Sequence, residues 1–181
     1  LRQENGNEGD RKLMNDEELS VDFSKQTLQN CFVQNYVVPD YQREYVWEKT
    51  QIDQLLSDMY EAYQENPAKQ YFVGTVVVYK SRSKLEVIDG QQRLTTFFIM
   101  ICALRSIYRS EDENDEFLRK LIYSSTMDDN GDTVNAYHLE LQYTDATGCL
   151  EKIFNEKTDS NKEDLTASEK RLFDAYESIR T

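Results

Sequence analysis

Ten consecutive residues constrain this chain more than any others: Val87-Ile88-Asp89-Gly90-Gln91-Gln92-Arg93-Leu94-Thr95-Thr96. They join a short β-like run to a stretch, from about Leu94 to Tyr108, that is apolar nearly all round. A helix without a polar face belongs at the centre of a domain, so the rest of the chain has to pack around it. The junction itself is polar. A helix start offers N–H groups with no intrahelical acceptor and the positive end of the helix dipole, and Gly90 lets a ligand approach the backbone. Arg93 can fork two hydrogen bonds onto a phosphate. Asp89 can hold a metal ion or orient a water. The same residues also suit a plain strand-to-helix turn whose polar groups only cap the helix.

The chain has 181 residues, enough for one domain with a real core. No apolar run reaches the roughly 18–20 residues of a membrane span, and the N-terminus is polar without a secretory pattern. A cytoplasmic protein away from membranes is expected. It begins with Leu1, so a fragment or a processed chain is expected. Cys31, Cys102 and Cys149 form no CxxC pair, which fits free thiols in a reducing compartment. His138 is the single histidine, so a histidine-built metal cluster or a choice of catalytic triads is not expected.

The net charge is −13. Duplex DNA binding leaves a basic footprint that the chain as a whole lacks. Arg43, Lys80, Arg82, Lys84, Arg93 and Arg105 do fall in the middle third, so a local basic pocket for a single nucleotide stays open.

Residues 1–18 read as a flexible acidic tail. Phe32 to Val38 reads as a strand ended by Pro39. Thr50 to Tyr63 reads as a helix with Thr50 as its cap, Asp53 in the near capping box, and Ile52, Leu55, Leu56, Met59 and Tyr63 on its apolar face. Tyr71 to Tyr79 and Leu85 to Ile88 read as a hairpin around Ser81–Lys84. Glu111 to Glu116 reads as an acidic connector and Phe117 to Tyr123 as a short helix. Asp128-Asp129-Asn130-Gly131-Asp132 reads as an acidic turn, since it lacks the downstream Glu and helix of a calcium loop. Tyr137 to Tyr143 alternates like a strand, Ala146 to Phe154 reads as a helix, and a last helix starts near Thr166.

Two further stretches have binding character. Pro39-Asp40-Tyr41-Gln42-Arg43-Glu44-Tyr45-Val46-Trp47 packs aromatics, an Arg and an amide into one loop, a common setting for binding. Arg43 can reach a phosphate, and Tyr41 or Tyr45 can stack on a base. Tyr45 and Trp47 can equally anchor the loop to the core. Gly74, in a strand-like run, marks either a close approach to the backbone or a simple bulge.

Together, in this order, Tyr41-Gln42-Arg43-x-Tyr45-x-Trp47, Phe72-Val73-Gly74 and Ile88-Asp89-Gly90-Gln91-Gln92-Arg93-Leu94-Thr95-Thr96 resemble the N-terminal domain of the GmrSD-type family. These are modification-dependent (type IV) restriction and phage-defence proteins. The resemblance covers residues 19 to 154. It implies an α+β, ParB/sulfiredoxin-like domain over 19–155, with a small mixed sheet and a buried central helix. Residues 156–181 are then a linker and the start of a helical region. It also implies a domain that binds and hydrolyses nucleoside triphosphates with Mg²⁺. That activity controls an HNH-like nuclease domain in the same chain or a partner, with DNA reached through the intact protein. By position, Asp89, Gln92 and Arg93 are the expected catalytic residues. Tyr41, Gln42, Arg43, Gly74, Gly90, Gln91, Thr95 and Thr96 are expected to bind nucleotide, and Asp89 to hold the Mg²⁺. With one histidine the chain lacks a ββα-metal nuclease motif, so it is not expected to cut DNA. A non-hydrolysing nucleotide sensor, a DNA-binding or assembly module, and direct recognition of modified DNA are the competing readings.

Overall fold

The computed structural model describes residues 21–81, 84–108, 112–127, 130, 133–158 and 163–181. Among them lie a four-stranded mixed sheet, a separate two-stranded hairpin and six α-helices. The expected acidic tail and most of the Asp128–Asp132 turn lie outside the described residues.

Strand β1 (Tyr36–Val38) is central, parallel to both of its neighbours, β3 (Lys84–Asp89) and β6 (Leu139–Leu141). All three of its residues are buried. A parallel strand covered on both faces reads as an unbroken apolar run, and Tyr-Val-Val is one. It is shorter than the expected Phe32–Val38, because Phe32 closes a one-turn helix, α1 (Leu28–Cys31), and packs into the core. Strand β2 (Val77–Ser81) forms the edge, antiparallel to β3. The expected strand from Tyr71 begins only at Val77. Gly74, at φ +110°, breaks the extended run before it.

Helix α2 (Lys49–Glu65) follows β1 in the chain. Its cap is Glu48 rather than Thr50, with the Glu48 N–H donating to Gln51 Oε1 at 2.9 Å. The hydrogen-bond partners thus sit two residues earlier than the Thr50/Asp53 pair. Ile52 is buried, and Leu55, Leu56 and Met59 pack against the core. Tyr63 is 59% exposed and leaves the expected apolar face.

Helix α3 (Gln91–Tyr108) is the buried centre, as its composition demands. Helices α4 (Asp112–Ile122), α5 (Cys149–Phe154) and α6 (Ala167–Arg180) pack around it. The acidic stretch from Asp112 is the start of α4, not a connector. Its apolar residues recur at helical spacing only from Phe117, so the first turn carries little sequence signal. The Tyr137–Tyr143 run divides in two. Tyr137 ends β5 (Thr133–Tyr137), which pairs with β4 (Tyr123–Met127), and only Leu139–Leu141 joins the main sheet. The Tyr123 and Tyr137 rings meet across the hairpin, and both pack on Phe154 with centroids 5.2 Å away. His138, between the two strands, is buried with Nδ1 2.5 Å from the Phe32 carbonyl and 2.8 Å from that of Leu121. Two acceptors around one nitrogen make it the donor, so the single histidine is a lock between α1, α4 and β6.

A short 3-10 turn (Thr144–Ala146) precedes α5, which starts later than the expected Ala146. Thr166 caps α6, accepting from the Glu169 N–H at 3.1 Å. Leu172, Phe173, Ala175 and Tyr176 place α6 in the same core as α3. No helix among the described residues is long and apolar enough to cross a membrane.

Candidate functional site

Strand β3 ends at Asp89 and α3 begins at Gln91, with Gly90 as the single residue between. Gly90 has φ +87°, and a Cβ there would lie 2.7 Å from the Thr75 carbonyl oxygen. Only glycine fits so tight a turn. The Gly90 carbonyl accepts from Leu94 N–H at 3.0 Å, which makes Gly90 the cap of α3. The N–H groups of the first turn then have no acceptor within the helix. The first turn borders an open cleft of about 430 Å³, lined by Gln42, Arg43, Trp47, Asp89, Gly90, Gln91, Gln92 and Arg93.

The two glutamines are buried and hold the opposite wall. Gln91 Nε2 donates to the Arg43 carbonyl at 2.8 Å. Gln92 Nε2 donates to the Glu44 carbonyl at 2.9 Å, while its Oε1 accepts from Val46 N–H at 2.8 Å. A side-chain amide here imitates a strand edge and fixes the loop by its backbone. The loop is pinned further by Tyr45, whose hydroxyl lies 2.9 Å from Thr96 Oγ1. Thr96 also donates to the Gln92 carbonyl at 2.8 Å. Burial pushes the Tyr45 phenol up to about 12, with the Thr96 bond working against the rise, so at neutral pH the group is a fixed neutral hydroxyl.

Arg93 leaves the helix in another direction. Its guanidinium lies over Gly74, where a Cβ would sit 1.5 Å from Nη1. Its long contact to the Val73 carbonyl, at 3.5 Å, is weak. The Phe72-Val73-Gly74 stretch therefore serves the junction motif by making room for its arginine. Neither Arg93 nor Arg43 has a carboxylate partner among the described residues. Two guanidinium groups beside a helix N-terminus, with no carboxylate partner among the described residues, make the cleft suited to an anion.

A second cleft, of about 520 Å³, lies along the end of α2. Asp58, Glu61 and Glu65 line it with only Lys69 as a cation, so it repels the ligands the first one suits.

The structure thus gathers Gln42, Arg43, Asp89, Gly90, Gln91, Gln92 and Arg93 in one cleft. It leaves four expected residues outside the lining. Tyr41 is 67% exposed on the loop, Gly74 lies under the Arg93 guanidinium, and Thr95 and Thr96 are buried in the first turns of α3. Gln42 reaches the Ile88 carbonyl at 3.3 Å. Trp47 lines the cleft and also packs on the core, so both sequence readings of it are partly met. Glu44 and its partner Ser168 carried no sequence signal: they lie 124 residues apart and form no motif.

Among the described residues, no group of three His, Cys, Asp or Glu side chains could hold a metal ion by itself. The arrangement is that of a mixed α/β domain in which an arginine-lined cleft opens at the start of the central helix. The family model of the GmrSD restriction endonuclease N-terminal domain matches residues 21–181, and the chain belongs to that family. It is therefore a domain of a restriction and defence protein. No curated relative matches the chain.

Proposed function

We propose that this domain binds a nucleoside triphosphate with its phosphates at the start of α3, and hydrolyses it. The observation that carries the reading is that Arg43 and Arg93, which have no carboxylate partner among the described residues, both line the cleft at the Gly90-capped start of α3. First-turn N–H groups cradle phosphate oxygens. Arg93 and Arg43 neutralise the β- and γ-phosphates, and more so as charge shifts towards the leaving oxygen. Asp89 is exposed on the cleft wall. A lone carboxylate fits Mg²⁺, which takes one or two carboxylates and completes its shell with water and phosphates. The ion would supply positive charge against the phosphates. Asp89 either holds it or orients the attacking water, whose oxygen bonds to the γ-phosphorus as the bridge to the β-phosphate breaks.

Gln91 and Gln92 take a positioning part in this reading, because their amides are engaged by the 43–46 backbone. That same engagement favours a second reading, a sensor that binds nucleotide without turnover, since neither amide is left to orient a water. The finer fold assignment, ParB/sulfiredoxin-like, goes with this proposal. So do a cytoplasmic setting, control of an HNH-like nuclease domain, and access to DNA through the intact protein.

Calorimetry with ATP, GTP, CTP and UTP plus Mg²⁺, beside Arg93→Ala, tests the site. Binding that vanishes in the variant supports it; no binding by any of the four overturns it. Phosphate release then separates hydrolase from sensor.

A further inference from the structure

The loop that carries Arg43 is held from two sides. On one side are the glutamines of α3. On the other is α6: Ser168 Oγ donates a short hydrogen bond to the Glu44 carboxylate. Ser168 is fully buried in the first turn of α6, and Glu44 is half-buried. The Tyr143 hydroxyl bonds to the backbone of Tyr45, and burial drives its ionisation well above the ordinary phenol range. Arg43 therefore sits on a segment fixed at its own carbonyl, at both ends of its neighbour Glu44, and at Tyr45. Its guanidinium has no carboxylate partner among the described residues, and the residue lines the cleft.

The start of α6 is itself rigid. Thr166 and Glu169 form a reciprocal cap, Thr166 Oγ1 donates to the Asp145 carbonyl at 2.6 Å, and Lys152 Nζ lies 2.8 Å from Glu169. A carboxylate brought this far out of water is costly unless its lone pairs are met by donors. The buried hydroxyl of Ser168 meets one of them. This is the arrangement of a strut rather than of a ligand contact.

We infer that Glu44 and Ser168 are a positioning pair: α6, through Ser168, sets where Arg43 stands against the phosphates. The inference rests on the nucleotide reading of the cleft. It makes affinity depend on a residue that lines no part of the cleft. Removing the hydroxyl frees the Glu44 side chain to turn outwards to water and lets the 43–46 segment follow it. A displacement of about 1 Å at a phosphate-binding group is enough to weaken binding severalfold or more.

The test is a double-mutant cycle read by calorimetry with Mg²⁺ and the tightest-binding of the four nucleotides. Its members are wild type, Ser168→Ala, Arg43→Ala and the double variant, with Ser168→Thr as the hydroxyl-retaining rescue. Expected is a loss of about tenfold in affinity for Ser168→Ala, on the scale of a lost bond to a charged group. In the Arg43→Ala background the same change should do nothing further. Ser168→Thr should return most of the affinity. A purely structural serine would lower the melting temperature without this non-additivity. Unchanged affinity in Ser168→Ala, or equal losses with and without Arg43, overturns the pairing while leaving the cleft reading intact. Absence of nucleotide binding in the wild type overturns both. If Ser168→Ala does not fold, Glu44→Ala takes its place in the cycle, since it removes the acceptor that Ser168 meets; a loss of about tenfold that disappears in the Arg43→Ala background is expected for it, and unchanged affinity, or the same loss with and without Arg43, overturns the pairing.

Discussion

Helix α3 carries an arginine near each end, and the two are treated in opposite ways. Arg105, near the C-terminal end, is satisfied by the protein. Its Nε lies 2.7 Å from Asp115, its Nη1 donates to the Phe154 carbonyl at 2.9 Å, and its guanidinium sits 4.4 Å above the Phe154 ring. Arg93, in the first turn, has one weak contact to a carbonyl at 3.5 Å and an open cleft in front of it. A cation near a helix C-terminus is favoured by the dipole, whereas one at the N-terminus is opposed by it. Arg105 therefore stands where the helix welcomes it and has its partners. Arg93 stands where the helix repels it and has no carboxylate partner among the described residues. On the nucleotide reading proposed above, the second arrangement holds a place for an anion that is not part of the chain.

The largest effect should separate the two ends. Arg93→Ala is expected to lower nucleotide affinity at least about 100-fold, since a charge-assisted bidentate contact is lost, with little change in melting temperature. Arg105→Ala should do the reverse. Leaving Asp115 and the Phe154 carbonyl without their donor is expected to cost about 2–3 kcal/mol of stability, with affinity within about twofold of wild type. Calorimetry and thermal unfolding on the same two samples decide it. Equal losses of affinity in both would dissolve the distinction.

Glycines sharpen it next. Gly74→Ala places a methyl where the Arg93 guanidinium lies and also strains a backbone at φ +110°. Both affinity and stability should fall, affinity by about tenfold and stability by about 1–3 kcal/mol. Gly148→Ala meets the strain at φ +75° but nothing within 4 Å, so stability alone should fall, by about 1 kcal/mol. An unaffected affinity in Gly74→Ala, measured by calorimetry, would remove Phe72-Val73-Gly74 from the site. For the opposite wall, Gln92→Ala strips partners from the Glu44 carbonyl and Val46 N–H. A loss of about 2–3 kcal/mol in denaturant unfolding is expected.

These contrasts also show what the sequence could reveal. The central helix was legible because its apolar residues admit no exposed face, and the cleft because Asp89 to Arg93 brackets a glycine between strand and helix. The direction of the glutamines was not legible. An amide is equally at home on a phosphate and on a backbone, and only the 40–47 loop, folded across from α3, decides between them. The Thr95 and Thr96 hydroxyls lie too far round the helix to line the cleft, which follows from 3.6 residues per turn once the facing direction is known. Hairpin β4–β5 escaped because the contact that ties it to the core is the partly buried pair Tyr123 and Tyr137 against Phe154, and one cross-strand aromatic pair gives no period-2 run.

The smallest effect concerns pH. The Lys152 ammonium, by hydrogen bond and charge, holds the Glu169 carboxyl below its ordinary value, and Glu169 in turn holds Lys152 above its own. A depressed folded-state carboxyl adds stability that is fully present above the ordinary carboxyl range. That stability disappears as pH falls through the lower folded value. A raised lysine adds stability present below the ordinary lysine range and lost as pH climbs through the higher folded value. The pair should therefore contribute a plateau across neutral pH with losses at both extremes. Glu169→Gln should lower the melting temperature by about 1–2 °C on the plateau, as suits a partly exposed pair in a chain of this size. The gap to wild type should narrow as pH falls below the ordinary carboxyl range and close once pH passes the lower folded-state value, where the carboxyl is protonated in both states. A gap that does not narrow on acidification would mean that Glu169 acts through its hydrogen bonds rather than through charge. The start of α6, and with it Ser168, would then be held by hydrogen bonds alone.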